Sequence, residues 1–365
     1  MTRRSNLLLT TLVVALVVSM GVWIVHAATP AATPAATPAA APAATPAAPA
    51  ATPPAAPAVA GELRVIKSIP GGGEGGWDYV TADQQGQRAY VSRATRFMVF
   101  DVEAGKVVGE IPDAAGAHGV ALAPDLNLGF ATCGKANTLN VFDTKTLKSV
   151  KTIKTGTKPD AIFYDPATKK VFVCNGGSGD LTVVDPAALD KEPVTLAIGG
   201  KLEAGVADGA GHVYVNVEDK SEVVAIDSKQ LKVTAHWPLT PGESPTGLAI
   251  DIAHRRLFSG CGNQKMVILD ADSGKVLGTV TIGAGMDGVA FDPKLGIAVS
   301  SNGADGTMTV VREEPAGTFK AVQTLKTAKG ARTIDVDTKT HRFYTPCNLP
   351  TDGGKTEFSL LVVGQ

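Results

Sequence analysis

From residue 61 on, the chain repeats itself about every 42 residues, and this constrains its fold more than any other feature. In each copy an apolar run ends in Asp, a short turn follows, and a second apolar run begins. The copies read MVFDVEAGKVVGEI at Asp101, LNVFDTKTLKSVKTI at Asp143, LTVVDPAALDKEPVTLAI at Asp185, EVVAIDSKQLKVTAHWPL at Asp227 and MVILDADSGKVLGTVTI at Asp270. The spacings are 42, 42, 42 and 43 residues. A sixth copy carries Arg312 in the Asp place, again 42 residues on.

Two more short apolar runs precede each pair, such as YVTAD and RAYVS in copy 1, or AIFYDP and KVFVCN in copy 3. Each copy therefore holds four short strands separated by Gly, Pro, Asp and Lys turns. Four strands in a period near 40 predict a propeller blade. Copy 7 supplies only RTIDVD, RFYTPC and FSLLVV before the chain stops at Gln365. Its missing outer strand has an orphan match at the start of the domain, LRVIKSI (63–69). The expected fold is thus an all-β, seven-bladed propeller over residues 61–365, with the N-terminal strand completing blade 7 and closing the ring. Closure removes exposed sheet edges, and the expected state is a monomer. Composition agrees: aromatics are only 5%, while 40 Gly and 23 Pro favour turns over long helices.

The N-terminal part is of a different kind. Arg3 and Arg4 precede an uncharged run from Leu7 to Val25, and VHA|ATP supplies a small-residue cleavage pattern ending at Ala27. Residues 1–27 read as a secretory signal peptide or, since the run is long enough to span a bilayer, as an N-terminal anchor. Residues 28–60 are almost entirely Ala, Pro and Thr, the composition of a disordered, semi-rigid tether. The expected location is exported, periplasmic or extracellular, with membrane contact only through the N-terminal segment. Without Arg3 and Arg4 the 34 basic residues fall to 32 against 35 acidic, a formal charge of −3, which opposes nucleic-acid binding. A local cluster, Arg88, Arg93 and Arg96, is the one feature that favours it.

The second strands AYVSR (89–93), VFVCN (171–175) and VYVNV (213–217), each followed by an apolar strand ending in Asp, resemble the YVTN-repeat (YncE-like) family of seven-bladed propellers. Asn175 and Asn216 supply the motif's asparagine. The resemblance implies an exported binding protein; nucleic acid has been suggested as a ligand for some relatives.

In a propeller the first strand of each blade lines the central channel. Aligning the copies there places one residue per blade at a common level: Asp78, His118, Asp160, Glu203, Thr246, Asp287 and Arg332. Neighbouring columns are mostly Gly, Ala, Val and Ile, so the polarity is localised. Converging carboxylates repel one another and raise pKa values unless a cation or donors compensate. Three readings follow: a wet channel with internal salt bridges, a ring that binds a small ligand, ion or protein partner, and a metal-dependent, lactonase-like hydrolase. Asp78, His118, Asp160 and Glu203 are the candidate ligands for a divalent metal. Trp77 either packs between blades or forms a wall of the channel mouth. His212, His236, His254 and His341 fall at scattered surface positions.

Cys133, Cys174, Cys261 and Cys347 lie near the ends of second strands. They form no CxxC or CxxCH motif, which leaves a Cys133–Cys174 disulfide or four buried thiols. GGGEGG (71–76) matches GxGxxG but opens no helix, so it reads as a loop and not a phosphate cradle. DADSG (270–274) reads as a hairpin turn and not a calcium loop. GxSxG and HExxH are absent from the sequence.

Overall fold

The computed structural model describes residues 61–365; the expected signal peptide and tether lie outside them. Blade 1 runs from the axis outward as Val80–Asp83, Arg88–Arg93, Arg96–Asp101 and Lys106–Ile111, each strand antiparallel to the next. Five further blades repeat this order. Blade 7 combines Asp335–Asp337, Arg342–Pro350 and Thr356–Gly364 with Arg64–Pro70 at its rim. Ser68 pairs with Leu361 and Ile69 with Leu360. The sequence expectation of seven blades closed by the N-terminal strand is what the fold shows.

The burial patterns explain the order. Middle strands are covered on both faces, as in Tyr90, Val91, Phe97 and Val99 of blade 1, and so read as continuous apolar runs. Rim strands alternate: Lys106–Ile111 exposes every second residue and ends in buried Ile111. The core is a set of layers between neighbouring blades. Ile69, Val80, Met98, Tyr344 and Phe358 fill the seam between blades 7 and 1. Phe172, Leu181, Val213 and Val224 fill that between blades 3 and 4. Near the axis the first strands crowd each other. A Cβ at Gly247 would lie 2.8 Å from the Val289 nitrogen, and one at Gly288 2.8 Å from that of Ile334, so only glycine permits the approach.

The aspartate that marks the period forms turns. Asp101 accepts from the Ala104 nitrogen at 2.7 Å, and Asp143 from those of Lys145 and Thr146 at 3.0 and 2.7 Å. Asp270 accepts from the nitrogens of Asp272 and Ser273, which makes DADSG a hairpin turn as expected. Of the two cysteine readings, the structure selects four free, buried thiols. Burial pushes Cys347 up to about 12 and Cys261 up to about 11, so neither is a reactive thiolate. His212, His236 and His254 are exposed and His341 half-buried. Each lies within 3.0 Å of a carboxylate, Asp208, Glu222, Asp251 and Asp292 in turn.

Candidate functional site

In blades 2 to 6 the ring residue sits where the pairing of first and second strands slips. Blade 2 pairs Ala117 with Cys133 and then Val120 with Ala131, with His118 inside the irregularity. Asp160, Glu203, Thr246 and Asp287 occupy the same place in their blades. Such bulges re-aim a side chain. Asp78 and Arg332 precede the regular part of their strands.

The ring closes into a chain of contacts. Arg332 Nε donates to Asp287 Oδ2 at 2.8 Å and its Nη2 to Asp78 Oδ1 at 3.2 Å. His118 Nδ1 lies 2.6 Å from Asp78 Oδ2 and 3.5 Å from Asp160 Oδ1. Glu203 turns instead to Lys201 Nζ at 2.9 Å, and Lys201 also binds Glu218. Thr246 Oγ1 donates to the Met286 carbonyl at 3.4 Å. The chamber so formed measures about 290 Å³, and Lys201, Glu218 and Tyr79 join every ring residue except His118 in its wall.

Charge is unbalanced there. Burial raises the Asp160 carboxyl to about 6; His118 opposes the rise, and Asp78 and Asp287 add to it. Burial and then the charge of Asp160 raise Glu203 to about 8, against the pull of Lys201. Asp287 is raised by burial and by Asp78 despite Arg332. The hydrogen bond to Asp78 raises His118, outweighing its burial. Three carboxyls thus hold protons more tightly than free acids, the behaviour of acids crowded out of water.

Of the four candidate metal ligands, three converge: donor atoms of Asp78, His118 and Asp160 lie within 4.8 Å of one another. Glu203 lies outside that group, tied to Lys201. The donor set of two oxygens and one nitrogen fits a borderline divalent ion. Binding one through His118 Nδ1 would replace the 2.6 Å contact to Asp78.

Trp77 takes the packing role. Its ring centroid is 5.5 Å from that of Phe358, its Nε1 donates to the Gly330 carbonyl at 3.2 Å, and it is absent from the chamber wall. Only its backbone carbonyl touches the ring, accepting from Arg332 at 2.9 Å. The basic cluster is occupied internally. Arg93, 1% exposed, lies over the Phe358 ring and donates to the carbonyls of Gly72 and Gly73. Arg88 donates to the Thr144 carbonyl, and Arg96 to Glu110 and the Glu74 carbonyl. The Arg93 and Arg96 contacts fasten the GGGEGG loop, and the Arg88 contact ties blade 1 to the Thr144 turn of blade 2. The asparagine motif also needs correction. Asn302 was missed by the sequence reading, yet it ends its strand as Asn175 does, and both donate to a pair of nearby Asp or Thr oxygens. Asn216 stands one place earlier and donates to the Gly247 carbonyl.

The sequence reading also missed Tyr79. It follows Asp78 in a column otherwise made of Gly119, Ala161, Ala204, Gly247, Gly288 and Thr333. Its ring packs against the core cluster of blades 3 and 4, which includes Ala161 and Leu202. Burial pushes its phenol well above the usual range, and Asp160 and Glu203 add to the rise. One bulky residue among six small ones was the available signal. Lys201 gave no such signal, because blade 3 has Lys158 at the matching place, exposed.

No protein-family model matches the chain, and no curated protein matches it. Solved structures do. The chain is similar to the RRP9 WD40 repeats (9% identity, TM-score 0.69, covering 82% of this chain and 97% of that one). It is similar to U3-55K (9%, 0.67, 82% and 98%) and to a chain of Kuenenia stuttgartiensis hydrazine synthase (15%, 0.63, 76% and 92%). The chain shares with them the fold of a seven-bladed β-propeller. At such identities the likeness establishes the fold and leaves function to the site.

Proposed function

We propose that this propeller is an exported binding protein of the YVTN type that takes a small cation, a metal ion or a compact ammonium compound, in its polar chamber. The proposed leader (1–27) and tether (28–60) carry the domain beyond the cytoplasmic membrane. One observation carries the reading: four ring carboxylates and Glu218 line about 290 Å³ with only Arg332 and Lys201 as cations in the wall, while His118 touches Asp78 from beside it. A bound cation would relieve the repulsion that raises Asp160, Glu203 and Asp287. Calorimetric titration of the full chain with Ca²⁺, Mn²⁺, Zn²⁺ and a short diamine tests this, alongside elemental analysis. At least one should bind saturably. Asp160→Asn should weaken it tenfold or more, about 1.4 kcal/mol. No saturable binding by any of the four would overturn the reading.

A second reading rests on the convergence of Asp78, His118 and Asp160. A metal held there would polarise a substrate carbonyl or lower the pKa of bound water, giving a lactonase-like hydrolase. Arg332, 3.2 Å from Asp78, would compete with the ion for that carboxylate. Stoichiometric metal together with ester hydrolysis lost on chelation would favour this reading over simple binding.

A further inference from the structure

Below the polar ring, the channel opens into a second cavity of about 440 Å³, within the ~300–1,000 Å³ typical of small-molecule pockets. Its walls are of a different kind. Two residues along the first strands from the ring stand Val80, Val120, Ile162, Gly205, Leu248, Val289 and Ile334, all in the wall. The carboxylates in the wall are engaged: Asp287, shared with the polar chamber, accepts from Arg332 at 2.8 Å, and Asp83 accepts from the Gln85 nitrogen at 2.9 Å. Asp335 accepts from the nitrogens of Ala82 and Val336, both at 2.8 Å. Thr81 donates to the Val120 carbonyl, and Gln84 both donates to the Val336 carbonyl and accepts from Thr338. An ion entering would lose its hydration shell against a mostly apolar wall whose carboxylates already have partners. An apolar guest would gain by leaving water. Tyr79 and Asp287 belong to the walls of both cavities, and Tyr79, from blade 1, packs its ring against the cluster of blades 3 and 4.

We propose that the lower half of the channel is a second binding site, for a neutral apolar small molecule, separated from the polar chamber by the Tyr79 ring. The three aromatic residues in the wall, Tyr79, Phe163 and Tyr164, suit a guest with an aromatic portion. The molecule would then carry two sites on one axis, reached from opposite faces of the disc. The site stands whether or not the polar chamber binds a cation.

Fluorescence titration of the full chain with the neutral probe N-phenyl-1-naphthylamine tests the proposal. Saturable enhancement with one equivalent bound is expected. Ile162 and Val206 are half-buried and face this cavity. Ile162→Trp and Val206→Trp fill it from two blades, and each should lower probe affinity at least tenfold. Ile162→Ala enlarges it and should keep affinity within about threefold of the parent. Circular dichroism selects the variants that fold, and the two fillers stand in for one another. Absence of saturable binding by the parent chain, or binding that survives a folded filler, overturns the proposal.

Discussion

The upper and lower levels of the channel are built by the same seven strands, only two residues apart, and yet they present opposite chemistry. The upper level carries Asp78, His118, Asp160, Glu203, Thr246, Asp287 and Arg332, aimed inward by bulges or by the irregular start of the strand. The lower carries Val, Ile, Leu and one Gly on regular backbone. Alternation along a strand normally sends successive side chains to opposite faces, so residues two apart share a face and tend to share a character. The bulge breaks that link and lets one column be polar without opening the blade interface beside it. The difference teaches that a propeller channel can hold two kinds of solvent environment without a change of fold.

A carboxylate placed at each level tests the contrast most severely. Val289 is 7% exposed in the lower wall, so Val289→Asp should cost about 3 kcal/mol in urea unfolding, the cost of burying an unpartnered polar group. Thr246→Asp, half-buried in the wet chamber, should cost about 1 kcal/mol. Equal costs would mean that the whole channel is wet.

Next in size is Arg332→Ala. The guanidinium joins Asp287, Asp78 and the Trp77 carbonyl and is 38% exposed. Truncation should cost about 2 kcal/mol, below the ~3–5 of a fully buried pair. It should also tighten cation binding in the upper chamber, because two carboxylates lose their counter-charge. Weaker cation binding by a folded variant would show that Arg332 organises the site more than it opposes the ligand.

The upper level should also make stability depend on pH. Glu203 is 4.5 as a free acid and about 8 in the fold. Between those values the folded protein keeps a proton that the unfolded chain has lost, so stability falls as pH rises through the window. His118, raised by Asp78, acts in the same direction: its stabilising proton is present below the unfolded value and lost above the folded one. The melting temperature should be higher at pH 5 than at pH 8, by about 3 °C for a domain of this size. Glu203→Gln should remove most of the slope. A melting temperature that rises with pH over this range would contradict the placement of Glu203.

How much of this was legible in the sequence follows from what repeats. Blade number, the closing strand at 63–69 and the polar column all recur with the period, and a recurring feature can be read from one chain. The closing strand came out as Arg64–Pro70, one residue along. What the period averages away is the residue that departs from its own column. Tyr79 is one such residue, and its ring leaves its own blade to reach blades 3 and 4. Arg93 is another, standing where other blades hold Cys133, Asn175, Val217, Cys261, Asn302 and Cys347. Long side chains cross blade boundaries, and their destinations depend on the three-dimensional closure of the ring. Trp77 was ambiguous for the same reason, since Phe358 and Gly330 approach it only after blade 7 has met blade 1.

The smallest expected effect is also the sharpest test of what divides the two levels. The Tyr79 phenol is perturbed by burial and by the charges of Asp160, Glu203, Asp78 and Asp287, while its ring packs on an apolar cluster. If the ring is the partition, the hydroxyl is dispensable. Tyr79→Phe should then change stability by less than about 0.5 kcal/mol and leave affinity for the apolar probe within about twofold. Tyr79→Gly, which installs the residue found in blades 2, 5 and 6, removes the partition and should make probe binding sensitive to cations added above. A loss of more than about 1 kcal/mol on Tyr79→Phe would mean that the hydroxyl is bonded into the carboxylate ring. In that case the partition belongs to the polar level, and the two cavities are coupled through it.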